Sequence, residues 1–264
     1  MISRNTDFGS HSVFLFGPRQ VGKSTWIQEN YKESVFYVDL LDPHIYLQYS
    51  RHPEQLKTDV LYQIGKLGVR TCVIDEVQKL PVLLDVVQQL MLKTKCQFIL
   101  TGSSARKLKR SGVNLLGGRA LQYYMFPLTY AEIANDFRLE EILSFGSLPP
   151  VFLAEQPIKI RILQSYVQTY LKEEIKEEAF VRNLGNFSRF LEAAASQCGD
   201  ILSYENVGQA CQISGKTVKA YYEILEDTLI GFRLDAWHRA VKKRLVSHPK
   251  FYLFDTGVTN ALTY

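Results

Sequence analysis

Short unbroken apolar runs alternate with helical periodicity along the first half of the chain. Ser12-Val-Phe-Leu-Phe16 reads as a short buried strand, Val35-Phe-Tyr-Val38 as a second ending at Asp39, and Cys72-Val-Ile74 as a third running straight into Asp75-Glu76. Gln97-Phe-Ile-Leu100 and Leu121–Phe126 are the fourth and fifth. Between them, Thr25–Asn30 continues as a helix, and from about Pro53 to Lys66 the residues Leu56, Val60, Leu61 and Ile64 recur at helical spacing. Pro81 stands near the start of another helix, whose Leu83, Leu84, Val86, Val87, Leu90 and Leu92 form a core face. Strands of this kind separated by helices predict an α/β domain with a parallel sheet. Thr129-Tyr-Ala-Glu132 fits a capping box and closes this domain, residues 1–135.

The second half reads as mostly helical. Ser144-Phe-Gly-Ser-Leu-Pro-Pro150 marks a hinge, because Pro149 cannot continue a helix. Glu155 to Phe180 carries Ile160, Ile162, Leu163, Val167, Tyr170, Leu171 and Ile175 at helical spacing, with the charge run Lys172–Glu178 as a solvated face. Residues 136–183 are thus a hinge and helical segment. Phe187–Gln197 is a further helix, followed by Tyr204–Cys211 and Gly215–Asp227, with Ser214 available as an N-cap between the last two. This spacing predicts a helix-turn-helix, and Leu229–Leu234 adds the wing of a winged helix over residues 184–237. Lys216, Thr217, Lys219 and Tyr222 are placed on its exposed face as candidate DNA contacts, with protein contact as the equal alternative.

Composition narrows the class. At 264 residues and 46% hydrophobic content the chain supports real cores, which excludes a disordered or fibrous protein. A net charge of +4 and a pI near 8.7 permit a polyanionic partner without requiring one. The basic stretch between Trp237 and Lys250 holds Arg239, Lys242, Lys243, Arg244 and Lys250 and no acid, so residues 239–250 are a candidate nucleic-acid contact or a solvated turn. Cys72, Cys96, Cys198 and Cys211 are scattered, which predicts free thiols in a reducing compartment. With no signal-like or membrane-spanning apolar stretch, a cytoplasmic location is expected and no membrane partner.

The first strand opens the candidate chemistry. Gly17-Pro18-Arg19-Gln20-Val21-Gly22-Lys23-Ser24-Thr25 fits G-x-x-x-x-G-K-[ST], a loop whose glycines let backbone N–H groups converge on phosphate at the positive end of the next helix. Lys23 would reach the β- and γ-phosphates and Ser24 the Mg²⁺ that travels with the nucleotide. Asp75 is the expected partner, holding Mg²⁺ at the sheet's carboxyl edge, with Glu76 orienting or deprotonating the attacking water. Thr101-Gly-Ser103-Ser104, at the end of the fourth strand, is placed to sense a γ-phosphate, or is simply a glycine turn. Arg106–Arg110 is basic, and Leu115–Arg119 is a glycine turn presenting Arg119.

Taken with Ile74–Pro81, Leu100–Ala105, Gly118-Arg119 and Phe126–Thr129, the loop resembles that of prokaryotic AAA+-type ATPases with a C-terminal winged-helix and restriction-nuclease-like region. The resemblance implies ATP as ligand, Lys23, Ser24, Asp75 and Glu76 as the Walker residues, Thr101–Ser104 as sensor 1, Arg119 as an arginine finger, and Arg19 facing the phosphates. It also implies that Phe251–Phe254 opens the nuclease-like unit, of which residues 238–264 are a remnant in a truncated chain. No Glu-x-Lys strand follows Asp255, so metal-dependent cleavage is rejected. The expected function is Mg²⁺-dependent ATP hydrolysis coupled to movement of the second half, in a homo-oligomer if Arg119 acts between subunits. A nucleotide-switched DNA-binding regulator with little hydrolysis is the rival. A small-molecule kinase fits less well, because Glu76 beside Asp75 suits activation of water.

Overall fold

The computed structural model describes residues 2–103, 108, 116–171, 183–237 and 248–263. Ser104, Arg106–Arg110 other than Leu108, Lys172–Glu178 and Arg239–Arg244, for which the sequence raises expectations, lie outside the described residues. The chain forms two compact units, Met1–Met125 and Phe126–Tyr264.

The first unit is built on a five-stranded sheet of order β2-β3-β4-β1-β5, parallel at every pairing. The strands are β1 (Val13–Phe16), β2 (Val35–Asp39), β3 (Thr71–Asp75), β4 (Gln97–Gly102) and β5 (Leu121–Tyr124). β1 and β3 are buried at every residue, as expected of unbroken apolar runs, while the edge strand β5 is mostly exposed. Helices α1 (Lys23–Asn30), α3 (Gln55–Leu67) and α4 (Leu83–Lys93) connect the strands; Leu83, Leu84, Val86, Val87 and Leu90 of α4 are buried. Helix α2 (Pro43–Arg51) was not expected from periodicity, since it buries only Tyr49. Its start is nevertheless written locally: Pro43 occupies the first turn, and the Asp42 carboxylate accepts from His44 N at 2.7 Å.

In the second unit the capping box forms at α5 (Tyr130–Ile133), where Glu132 accepts from Thr129 N at 2.8 Å. Then come α6 (Leu139–Phe145), α7 (Pro149–Phe152) and α8 (Gln156–Ser165), which runs on as a π-helical turn, Tyr166–Leu171. Helices α9 (Leu184–Ser196), α10 (Tyr204–Cys211) and α11 (Gly215–Asp227) follow, with Ser214 accepting from Thr217 N at 3.1 Å as the expected cap. Strands β6 (Gly231–Leu234) and β7 (Lys250–Leu253) pair antiparallel, and α12 (Thr256–Thr263) ends the described chain.

One expectation, the exposure of Tyr222, is overturned, and two stretches expected as domain markers lie within the second unit. The strand expected to open a separate nuclease-like unit, Phe251–Phe254, supplies β7, which closes a hairpin with β6 in the register Phe232↔Tyr252. Tyr222, placed on the exposed face of α11, is 1% exposed and packs on Phe190 and Phe251 with ring centroids 4.9 and 4.6 Å apart. Val218, Tyr221, Tyr222 and Leu225 form one helical stripe that must face inward; Lys216 and Lys219 do remain exposed.

The Ser144–Pro150 stretch, expected as a hinge, lies within the second unit. It wraps Asp255, whose carboxylate accepts from Ser147 N at 2.8 Å and from Val258 N, in the first turn of α12, at 2.9 Å. A Cβ on Gly146 would lie 2.0 Å from Asp255 Oδ1, and Gly146 also has φ +72°, so only glycine fits. Pro149 begins α7, where its missing N–H costs nothing.

Candidate functional site

The site lies within the first unit, where β1, β3 and β4 end at the carboxyl edge of the sheet. β1 delivers the loop Gly17–Gly22. Gly17 is fixed as glycine because a Cβ there would sit 2.1 Å from Met125 O. The loop turns through two left-handed residues, Gln20 at φ 63° and Gly22 at φ 94°. It then enters α1 without a side-chain cap, leaving first-turn N–H groups directed at the loop's interior. Lys23 is 6% exposed, and its ammonium donates to Gly17 O at 2.6 Å and Pro18 O at 2.9 Å. Pro18 and Val21 are buried, Arg19 and Gln20 half-buried, and Thr25 exposed.

β3 delivers the acids. Asp75, 4% exposed, accepts from Ser24 Oγ at 2.7 Å and Tyr37 Oη at 2.5 Å on Oδ2, and from Thr101 Oγ1 on Oδ1. Burial and the neighbouring Asp75 charge push the Tyr37 phenol far above its ordinary range, so Tyr37 stays a donor to that carboxylate. Glu76, 9% exposed, has φ 59°, a left-handed backbone that a non-glycine residue adopts only when its surroundings hold it there. Its N–H donates to Thr101 Oγ1 at 3.0 Å, and its carboxylate accepts from Gln78 Nε2. The same Nε2 reaches Ser103 Oγ at 3.1 Å.

Lys23, Ser24, Asp75, Glu76, Thr101 and Ser103 therefore meet at one edge. The residues fit a Mg²⁺-bound nucleotide: a buried lysine and uncapped helix start face the phosphate position, and the hydrogen-bonded Ser24–Asp75 pair is a hydroxyl and carboxylate suited to a hard cation.

Arg119 is not with them. It is exposed and precedes β5, whose first residue, Leu121, donates to Ser12 O at the amino end of β1. Leu121 pairs level with Val13, four residues or about 13 Å along the strand from Gly17, and Arg119 precedes it, at the opposite edge of the parallel sheet from the loop.

Sequence reasoning missed Tyr37 and Gln78. Tyr37 touches Asp75 only because β2 pairs with β3 in the register Tyr37↔Val73, information carried by the sheet order. For Gln78 a signal existed, since it is a polar residue buried in a tight turn two positions beyond the second acid.

Residues 9–134 match the family model described as AAA domain, and residues 136–264 match one described as Domain of unknown function (DUF8612). Residues 9–134 are thus similar to an AAA P-loop domain, a likeness that implies nucleotide binding, and the residues after them are similar to that second domain. Similar relatives are uncharacterized proteins of Mycobacterium tuberculosis, 25% identical over 95% of this chain and 55% of its own length, and of Methanocaldococcus jannaschii, 20% identical over 91% and 60%. The chain therefore spans little more than half the length of these relatives. Among solved structures it is similar to the replication initiator DnaA bound to AMPPCP and single-stranded DNA, with 14% identity, 82% of each chain covered and a TM-score of 0.38. It is also similar to the Aeropyrum pernix Orc1 protein in complex with DNA, with 11% identity, 96% and 86% covered and a TM-score of 0.33. Among the described residues no helix is long and apolar enough to cross a membrane.

Proposed function

We propose that this protein binds ATP with Mg²⁺ and hydrolyses it, and that the nucleotide state moves the second unit, which contacts DNA. The observation that carries the hydrolytic reading is the Asp75 carboxylate, held by Ser24, Tyr37 and Thr101 at the strand end that also presents Glu76. In this account Lys23 exchanges the Gly17 and Pro18 carbonyls for phosphate oxygens, an exchange that costs little because both sets are acceptors. Ser24 and Asp75 hold Mg²⁺, which when bound neutralises charge on the β- and γ-phosphates. Glu76 orients a water molecule and takes its proton as the oxygen bonds to the γ-phosphorus and the bond to ADP breaks, giving ADP and phosphate. Ser103, at the end of β4, senses the γ-phosphate. The loop residues Gly17 to Thr25 form the nucleotide cradle.

For the second unit, the support is the order α9, α10, capped turn, α11 and the β6–β7 hairpin, which is that of a winged helix. Lys216 and Lys219 are exposed on α11, as is Lys250 at the start of β7, and by sequence the segment joining the strands adds Arg239, Lys242, Lys243 and Arg244. A nucleotide-switched DNA-binding regulator with little turnover is the second reading, favoured by one observation: the Glu76 carboxylate is engaged by Gln78.

The test is nucleotide binding and steady-state ATP turnover with a titration of duplex DNA. Wild type should bind and turn over ATP, and Lys23→Ala should do neither. Lys216→Glu with Lys219→Glu should weaken the DNA response at low salt. Equal nucleotide affinity in wild type and Lys23→Ala would remove the assignment of the loop, and binding without turnover at every DNA concentration would leave the regulator.

A further inference from the structure

Gln78 lies in the single turn Val77–Lys79 that follows the acids, and it is 3% exposed. Its amide is oriented by chemistry: a carboxylate only accepts, so the NH₂ end faces Glu76 Oε2, and the same nitrogen reaches Ser103 Oγ at 3.1 Å. The other end, Oε1, is buried with no hydrogen-bond partner and rests against Gly102, where a Cβ would approach it to 2.7 Å. The last two residues of β4 and Ser103 just beyond them thus divide the work. Thr101 holds Asp75 and the Glu76 N–H, Gly102 leaves room for the Gln78 amide, and Ser103 accepts from that amide.

Resting on the ATPase reading above, we infer that Gln78 is a positioning residue: it fixes the Glu76 carboxylate and makes its place depend on the Ser103 turn. Glu76 has a left-handed backbone and a side chain with three rotatable bonds. Its N–H is held by Thr101, and its carboxylate by Gln78. A phosphate that engages Ser103 changes what Ser103 offers to Gln78, and the tether carries that change to the base. An unpartnered buried acceptor is tolerated at Gln78 because turning the amide over would set its oxygen against a carboxylate.

The test is Gln78→Met, which keeps length and apolar bulk but has no donor. It should bind a non-hydrolysable ATP analogue with wild-type affinity and lose about 10–100-fold in kcat with little change in KM, the scale of losing a partner that orients an active group and less than the loss of the general base itself. Gly102→Ala, which crowds the amide from the other side, should lower kcat in the same way. A readout independent of turnover is amide hydrogen exchange over residues 76–79. The analogue should slow it in wild type and leave it unchanged in Gln78→Met. Wild-type kcat and a wild-type exchange response in Gln78→Met would overturn the inference, and should that variant not fold, the same two results in Gly102→Ala would do so. If Glu76→Gln abolishes turnover while these variants keep it, only the inference fails; if Glu76→Gln turns over normally, the base assignment fails and the inference with it.

Discussion

At the scale of single residues, Asp75 accepts from three side chains at the site, Ser24, Tyr37 and Thr101. Donors to a metal-holding carboxylate orient it, and their loss typically weakens metal binding 10–100-fold. Tyr37→Phe removes one such donor without changing ring packing, so the Mg²⁺ concentration that half-saturates ATP turnover should rise by about 10-fold while nucleotide affinity without Mg²⁺ stays the same. Titrating Mg²⁺ in the two proteins checks this; an unchanged half-saturation point would make Tyr37 a packing residue. Lys23, Ser24, Asp75 and Glu76 were legible in the sequence because their chemistry needs neighbours in the chain, a loop in one case and an acid pair in the other. Tyr37 was not, because its partner comes from the register of two strands. Tyr222 was misplaced because its charged neighbours suggested exposure, whereas its spacing with Val218 and Leu225 makes it core.

At the scale of elements, the strands and long helices of the first unit follow from apolar runs, while the pairing of β7 with β6 joins segments separated by a long connection and has no local signature. Asp255 shows the same limit. Sequence marked it only as the acid after a strand, yet it ties the Gly146–Leu148 backbone to the first turn of α12. Burial raises its pKa against four backbone N–H donors that act the other way. A folded carboxyl that holds its proton more tightly than the unfolded one loses stability as pH rises from the usual carboxylate range through the raised value. The stability advantage of wild type over Asp255→Asn should therefore shrink as pH rises above about 4, the ordinary carboxylate range. Gly146→Ala, which meets Asp255 Oδ1 at 2.0 Å with φ +72°, should cost about 2–4 kcal/mol in the second unit. Thermal unfolding across that pH range checks both, and an advantage that grows with pH would contradict the account of Asp255.

At the scale of the whole molecule, the position of Arg119 at the amino edge of the sheet excludes a finger role toward the loop of its own chain. If Arg119 acts on ATP, it acts across an interface, and such fingers are worth about 10³–10⁵ in rate in other P-loop enzymes. Arg119→Ala should then bind ATP, hydrolyse poorly alone, and regain activity when mixed with Glu76→Gln, since mixed assemblies contain sites with an intact Glu76 facing a neighbour's Arg119. No recovery, in a preparation shown to exchange subunits, would remove the role and the main reason to expect a homo-oligomer. The central claim, that Glu76 activates water for ATP hydrolysis beside a Mg²⁺-holding Asp75, is tested most directly by single-turnover hydrolysis of radiolabelled ATP in Glu76→Gln, with ATP binding measured in the same preparation. The account predicts wild-type affinity with phosphate release slowed by about 10²–10⁴-fold. Release at the wild-type rate would contradict it.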